Sequence, residues 1–309
     1  MNLNFKITSF YQFKNLTNLP DLHKSLKTFC ARYKLLGIIL IAPEGINGTL
    51  AGLPDSVDKF INYAKTLEFT CLNIKYSEST QMPFYRIKIK IKNEIISFYK
   101  APFKFTPQKG ISIDPDKWNE LIEQPDVLTI DVRNQFETKI GNFDNAIDPK
   151  TQSFVQFKKY IDTELINDKD QKIAMYCTGG IRCEKASKYM KSIGFKNIYL
   201  LNGGILKYLE QVPNHESAWN GECFVFDNRV AVTHDLNQGT YEVCHGCNNP
   251  ISVSDKLSDK FEKDVSCPYC YHISTDMKKN RSRERSKQIN LARERKTQNI
   301  YLPTPIEYY

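Results

Sequence analysis

The stretch KIAMYCTGGIRCEKASKYM, residues 172–190, narrows the possible folds more than any other part of the chain. An apolar run ends at Cys177, two adjacent glycines follow, and then Ala186, Tyr189, Met190 and Ile193 recur at helical spacing. A strand buried on both faces reads as such a continuous run, and a helix starting directly after it is half of a crossover between parallel strands. VLTIDVR at 127–133 is a second run of this kind. Phe154, Phe157, Ile161 and Leu165 mark a helix between the two, and NIYLL follows Gly194. Strands alternating with helices imply a parallel sheet covered on both sides, with sites at the carboxyl ends of its strands. Cys177 lies at such an end.

The first 92 residues have a different rhythm. Residues 3–10 read as a strand; after Pro20, Leu22, Leu26, Phe29 and Tyr33 fall on one helical face, with Gly37 as the expected stop. GIILIA and INGTLAG read as strands joined through Pro43, Glu44 and Gly45. A second helix turns Val57, Phe60, Ile61, Ala64 and Leu67 inward, and strands are expected at 69–76 and 84–92. The order strand, helix, strand, strand, helix, strand is that of a ferredoxin-like unit. In the last strand Ile87, Ile89 and Ile91 alternate with Arg86, Lys88, Lys90 and Lys92, so one face packs and the other is wholly basic. That basic face is either solvated or in contact with phosphates.

Residues 93–120, with Pro102, Pro107 and Pro115, read as a connector. From residue 213 a short hairpin, ECFVFDNRVAVTH, turns near Asp227 and Asn228, and four cysteines follow it. The expected organisation is a ferredoxin-like α+β domain at 1–92, the connector, a parallel α/β domain at 121–212, a cysteine-rich region at 213–277 and a basic tail at 278–309.

A chain of 309 residues suits two or three domains, because a single core stops growing at about 250–300 residues. With 41% hydrophobic and 25% charged residues, disorder, collagen and coiled coil are excluded as classes. No apolar run approaches the roughly 18 residues of a spanning helix, and MNLNFKITSF lacks a signal peptide's order, so a cytoplasmic protein without membrane contact is expected. Nine cysteines are too sparse for a disulfide scaffold and point to metal binding or catalysis. The net charge of +8 is uneven: residues 278–296 hold nine Lys or Arg and two Glu, which suggests an anionic partner, RNA rather than DNA. That tail reads either as a helix or arm on phosphates or as a frayed, solvated extension.

Between strand and helix, Gly179 and Gly180 permit backbone angles that turn successive amides inward around one point. The loop Thr178, Gly179, Gly180, Ile181 and Arg182 then forms an anion cradle, and the helix end plus Arg182 lower the Cys177 thiol from about 8.5 towards neutrality. Cys177 is accordingly a nucleophile or, on the other reading, a buried structural thiol. Cys183 is either a resolving thiol for Cys177 or a small buried residue. Cys244, Cys247, Cys267 and Cys270 form two CxxC pairs separated by nineteen residues, the spacing of a tetrahedral structural zinc site. Four reduced thiols packing a small subdomain is the alternative. His245 and His272 flank the pairs, but four sulfurs already complete a shell.

Four residues between Cys177 and Arg182 make a smaller ring than that of the cysteine phosphatases. The loop resembles that of the rhodanese family, as do DVRNQFETKIGNF at 131–143 and GFKNIYLLNGGI at 194–205. In that setting Asp131, Arg133 and Glu137 support the loop as a hydrogen-bonded network or, alternatively, take part in proton transfer. APEGINGTLAG at 42–52, CTGGIRCEKA at 177–186, CHGCNNP and SCPYC together resemble the bacterial tRNA uridine hydroxylases built around a rhodanese domain. The resemblance implies 5-hydroxylation of the wobble uridine of tRNA, with molecular oxygen and a reductant as co-substrates and Cys177 essential. The rival readings are a sulfurtransferase carrying a cysteine persulfide and a non-catalytic RNA-binding module. No iron or flavin motif is read, so no redox cofactor is assigned.

Overall fold

The structure is a computed structural model that describes residues 4–99 and 108–295. Pro102 and Pro107 of the expected connector, and the final YLPTPIEYY, lie outside the described residues.

The N-terminal unit runs β1 (Phe5–Phe13), α1 (Leu19–Arg32), β2 (Leu36–Ala42), β3 (Gly45–Gly52), α2 (Pro54–Thr66), β4 (Asn73–Ser79) and β5 (Ile87–Ile91). Its sheet has the order β4-β1-β3-β2-β5. The first four strands are antiparallel neighbours in the ferredoxin-like arrangement, and β5 joins the edge parallel to β2. Asn18 caps α1 by accepting from Asp21 N, and a proline occupies the first turn, where its missing N–H is harmless. The chain turns out of α1 just after Arg32, with Lys34 at φ 52°, so the expected stop at Gly37 is not the real one; Gly37 already lies in β2. Phe10, Leu26, Ile39, Ile46, Val57 and Phe60 pack between sheet and helices. By the two-residue period, Ser9, Tyr11, Ile38, Leu40, Asn47 and Thr49 face the other way.

The central unit contains β6 (Ile111–Ile113), α3 (Pro115–Ile122), β7 (Val127–Asp131), α4 (Gln135–Thr138), β8 (Gly141–Phe143), α5 (Phe154–Tyr160), β9 (Lys172–Tyr176), α6 (Ile181–Ser192), β10 (Ile198–Leu201) and α7 (Gly204–Gln211). Four of its strands form a parallel sheet in the order β6-β10-β9-β7. The stretch read as a connector therefore carries an edge strand and a helix. Pro115, one of the prolines that suggested a linker, sits in the first turn of α3. Ile173, Met175 and Cys177 join one core with Phe154, Phe157 and Met190, while Ala174 and Tyr176 join the opposite core with Trp118, Ile205 and Tyr208. Burial on both faces is why β9 reads as an unbroken apolar run.

Beyond it come β11 (Trp219–Gly221), antiparallel to β8, the hairpin β12 (Cys223–Phe224) and β13 (Ala231–Val232), then β14 (Glu242–Val243), β15 (Pro250–Ile251), α8 (Val253–Lys256) and α9 (Asp276–Glu294). The described part of the basic tail is α9, capped by Thr275 and tied back by Arg283 to Glu262 and by Ser286 to Asp264. Among the described residues no helix is long and apolar enough to cross a membrane.

The two larger units are joined through one buried cation. Lys185 of α6 is fully buried, and its Nζ donates to Glu44 (2.7 and 3.0 Å), Glu94 (2.9 Å) and the Ile96 carbonyl (2.7 Å). Glu44 also accepts from Ile95 N, and Glu94 from the amides of Phe98 and Tyr99. Phe98 is thereby set into the central core against Phe154, with ring centroids 4.4 Å apart. Removing one partner of a buried charge cluster leaves the others uncompensated, so Lys185→Met should destabilise the protein by about 3 kcal/mol or more. Urea unfolding followed by tryptophan fluorescence measures it, and an unchanged midpoint would contradict the bracing role.

Candidate active site

The loop after β9 begins at Cys177, which is buried at 1% exposure. Gly180 adopts φ +95°, a conformation that places its amide 3.1 Å from the Cys177 sulfur, to which it donates. The Cys183 amide and thiol also act on that sulfur, both favouring its charged form. Burial pushes the Cys177 thiol up, but the Cys183 thiol, the Arg182 charge and the two amides outweigh it and bring the group down to about 5. Cys183 moves the opposite way: burial and the adjacent sulfur keep it a thiol, which suits it as donor.

A second layer holds the loop. Arg182 makes a two-pronged ion pair with Glu137, each contact 2.6 Å, and Thr178 Oγ1 lies 3.3 Å from both Arg182 Nη2 and Glu137 Oε1. Glu137 Oε2 also accepts from Asn134 N, closing the capping box of α4. Burial pushes the Glu137 carboxyl up, but Arg182 and Arg133 hold it below its usual range. Arg133, fully buried, pairs with Asp131 (Nη2 to Oδ2, 2.5 Å), donates to the Gly141 carbonyl and lies over the Trp219 ring at 5.0 Å. From the far side the first turn of α7 donates Ile205 N and Leu206 N to the carbonyls of Cys177 and Thr178. At Gly204 a Cβ would stand 2.5 Å from the Cys177 carbonyl oxygen, which requires glycine there.

Above the loop lies a cleft of about 540 Å³. Its floor includes Cys177, Thr178 and Gly179, and its roof is the face of the N-terminal sheet that carries Tyr11, Asn47 and Lys75. Two of these were not singled out in the sequence. Tyr11 Oη donates to Glu184 of α6 at 3.2 Å, and Lys75 Nζ stands 4.0 Å from the Cβ position of Gly179. Burial lowers the Lys75 amine to about 8, although the Cys177 charge acts to raise it. A lone lysine on a half-buried strand gives no local signal; only the meeting of the two units makes it part of the cleft.

The four terminal cysteines converge. Their sulfurs lie within 4.8 Å of one another, with Cys244 to Cys270 at 3.9 Å, Cys247 to Cys267 at 3.7 Å and Cys267 to Cys270 at 3.8 Å. A tetrahedral ion with metal–sulfur bonds of about 2.3 Å needs sulfurs about 3.8 Å apart, so the cluster has the size to hold one.

A ferredoxin-like sheet roofing a strand-end cysteine loop is a compound architecture, and both halves match known families. Residues 5–95 match the UPF0176 acylphosphatase like domain and residues 114–211 the rhodanese-like domain, so the chain is of the rhodanese-domain class. It is 46% identical over 289 residues to the tRNA uridine(34) hydroxylase of Teredinibacter turnerae, covering 93% of this chain and 90% of the relative. It is 44% identical over 292 residues to that of Agrobacterium fabrum, covering 94% and 93%. Of solved structures, a rhodanese-like domain protein from Staphylococcus aureus aligns over 32% of this chain and 90% of its own at 26% identity, TM-score 0.27. The chain belongs to the tRNA uridine(34) hydroxylase family.

The Cys177 sulfur should lose its proton well below neutrality. Ultraviolet thiolate absorbance, taken as the difference between wild type and Cys177→Ser, is expected to vanish as pH falls through about 5. The folded value lies below the unfolded one of about 8.5, so the thiolate's stabilisation is complete above that value and lost on acidification through the folded one. Cys183→Ala removes the strongest lowering contact and should move the transition upward; an unmoved transition would dismiss the Cys183 hydrogen bond.

Proposed function

We propose that this chain hydroxylates carbon 5 of uridine 34 in tRNA, with Cys177 as the reacting sulfur. The observation that carries the reading is a sulfur met by a backbone amide at the floor of a cleft of about 540 Å³, in a chain of this family. A persulfide carrier needs room for one further sulfur atom. This cleft has the volume of a small-molecule site and takes an extruded nucleotide.

In the proposed sequence the Cys177 thiolate adds to carbon 6 of the uracil, and the ring's electron pair moves to make carbon 5 nucleophilic. Carbon 5 gains one oxygen atom of molecular oxygen and loses its hydrogen; the second oxygen atom leaves as water, taking two electrons from a reductant and two protons. Breaking the carbon–sulfur bond restores the ring and the thiolate. The amides of Gly180 and Cys183 stabilise the sulfur anion as it departs. Lys75 supplies a cation and a proton donor beside it. Glu137, Arg133 and Asp131 hold the loop in position from outside the cleft lining, and Arg182, tied to Glu137, also lines the cleft. Cys183 serves as hydrogen-bond donor to the sulfur.

The four terminal cysteines would hold zinc as a closed thiolate shell, which supplies folding energy and leaves no open coordination position for chemistry. The basic helix α9 extends from this knuckle and contributes phosphate contacts.

Two measurements test the reading. Cys177→Ser should abolish 5-hydroxyuridine at position 34 in digests of tRNA from cells whose sole copy is the variant; full product would remove the sulfur from the chemistry. Protein purified without chelator should contain about one equivalent of zinc, and Cys267→Ser should lose it together with thermal stability. A zinc content below about a tenth of an equivalent in wild type would refute the metal site.

A further inference from the structure

A second cavity, of about 570 Å³, adjoins the thiol cleft. The two share a wall of Ile38, Val225, Phe226 and Asp227, so they are neighbouring compartments along one face of the N-terminal sheet. In the register of β5 on β2, Lys88 pairs with Ile38 and Lys90 with Leu40. Paired residues of adjacent strands point to the same side, so the basic side of β5 faces the cleft side, as Ile38 and Leu40 do. Lys92 lines the first cavity, and Arg86 and Lys88 line the second. None of these cations has a carboxylate partner among the described residues.

Two aromatic rings stand open in the same place. Tyr85 is 61% and Phe226 60% exposed, unusually bare for rings that border a cavity. The chain on either side of them is fastened: Asn228 N donates to the Pro83 carbonyl at 2.9 Å, and Arg229, paired with Asp227, donates to Ser77 Oγ at 2.9 Å. Phe226 also meets Phe224 edge-on at 5.0 Å. Exposed rings on segments tied at neighbouring residues, beside a row of cations without carboxylate partners, are what single-stranded nucleic acid requires: faces for bases and positive charge for the linking phosphates. Burial and the neighbouring charges of Arg86 and Lys90 lower the Lys88 amine, as expected where positive charge is uncompensated.

We infer that this second cavity is the seat of the nucleotide adjoining the target uridine in the anticodon loop, its base against Tyr85 and Phe226 and its phosphates on Arg86 and Lys88. The inference rests on the proposed function, because the thiol cleft must hold the extruded uridine for its neighbour to lie here. Phe226, on the shared wall, then separates the two bases. The basic face of β5 takes the phosphate-contacting reading of the two left open by sequence.

The test uses the full chain and an anticodon stem-loop RNA containing uridine at the target position. Tyr85→Ala/Phe226→Ala should weaken binding about tenfold to a hundredfold, the loss expected for one to two stacked bases. Arg86→Gln/Lys88→Gln should weaken it and make the slope of log affinity against log salt shallower by about 1.4, two phosphates on a single strand. Both variants should keep the Cys177 thiolate titration of wild type, which checks that the cleft is intact. 5-Iodouridine placed on either side of the target should photo-crosslink to Tyr85 or Phe226 in wild type. If both variants bind like wild type and the crosslinks map elsewhere, the second site is refuted while hydroxylation stands. If wild type binds the RNA and the variants show these losses, but wild type forms no 5-hydroxyuridine in the presence of oxygen and reductant, the proposed chemistry fails and the nucleotide site remains.

Discussion

The two-pronged pair between Arg182 and Glu137 is the contact on which the site's geometry depends. Glu137 closes the capping box of α4, binds Arg182 in the first turn of α6, and lies against Thr178 within the loop. One carboxylate therefore fixes three separate pieces of backbone. The pair is buried on both sides, Arg182 at 7% and Glu137 at 0% side-chain exposure, so neither charge has solvent to return to if the other is removed. Because α6 is held in rotation and depth by this contact, the amides of Gly180 and Cys183 are held on the Cys177 sulfur. Arg182 acts on the thiol through space as a charge, as expected from the sequence, and its hydrogen bonds to Glu137 make it a structural tie as well.

The same helix also orders the larger architecture. Two residues beyond Cys183, Lys185 enters the pocket formed by Glu44 and Glu94, so the first two turns of α6 carry both the loop and the joint between units. This accounts physically for the APEGINGTLAG stretch, far in sequence from the cysteine loop. Its Glu44 receives Lys185, and its Asn47 and Thr49 belong to the roof of the cleft. Neither unit alone encloses the cleft: the central sheet supplies the sulfur and the N-terminal sheet supplies the opposite wall.

What was legible in the sequence was local. The place of Cys177 at the end of a buried strand, the two glycines after it and the paired CxxC spacings are properties of a few consecutive residues, and the ferredoxin-like order follows from periodicity. What was not legible depends on contacts between distant segments. No local feature of the sequence sets Lys75 or Lys185 apart from other lysines; only folding places the first at a cleft and the second between two carboxylates. β6 has only three residues, below the length at which alternation can be seen, and Pro115 marks a helix start as readily as a linker. Gly37 suggested a helix end, but Lys34 had already turned the chain.

The charge balance around the sulfur decides what kind of thiolate this is. Arg182 is paired with Glu137 and Arg133 with Asp131, so each buried guanidinium near the loop carries its own counter-charge. The favourable field at Cys177 then comes from the Cys183 thiol, the Arg182 charge and the oriented amides of Cys183 and Gly180, with Lys75 as a further cation across the cleft. Dipoles at contact distance are not screened by dissolved ions as surface charges are, because no ion fits between donor and acceptor. A thiolate made this way responds to loop geometry far more than to ionic strength, while the basic groove outside responds to ionic strength above all. On the proposed function, an enzyme built this way binds a polyanion through strongly salt-dependent contacts and keeps the Cys177 sulfur ionised independently of them.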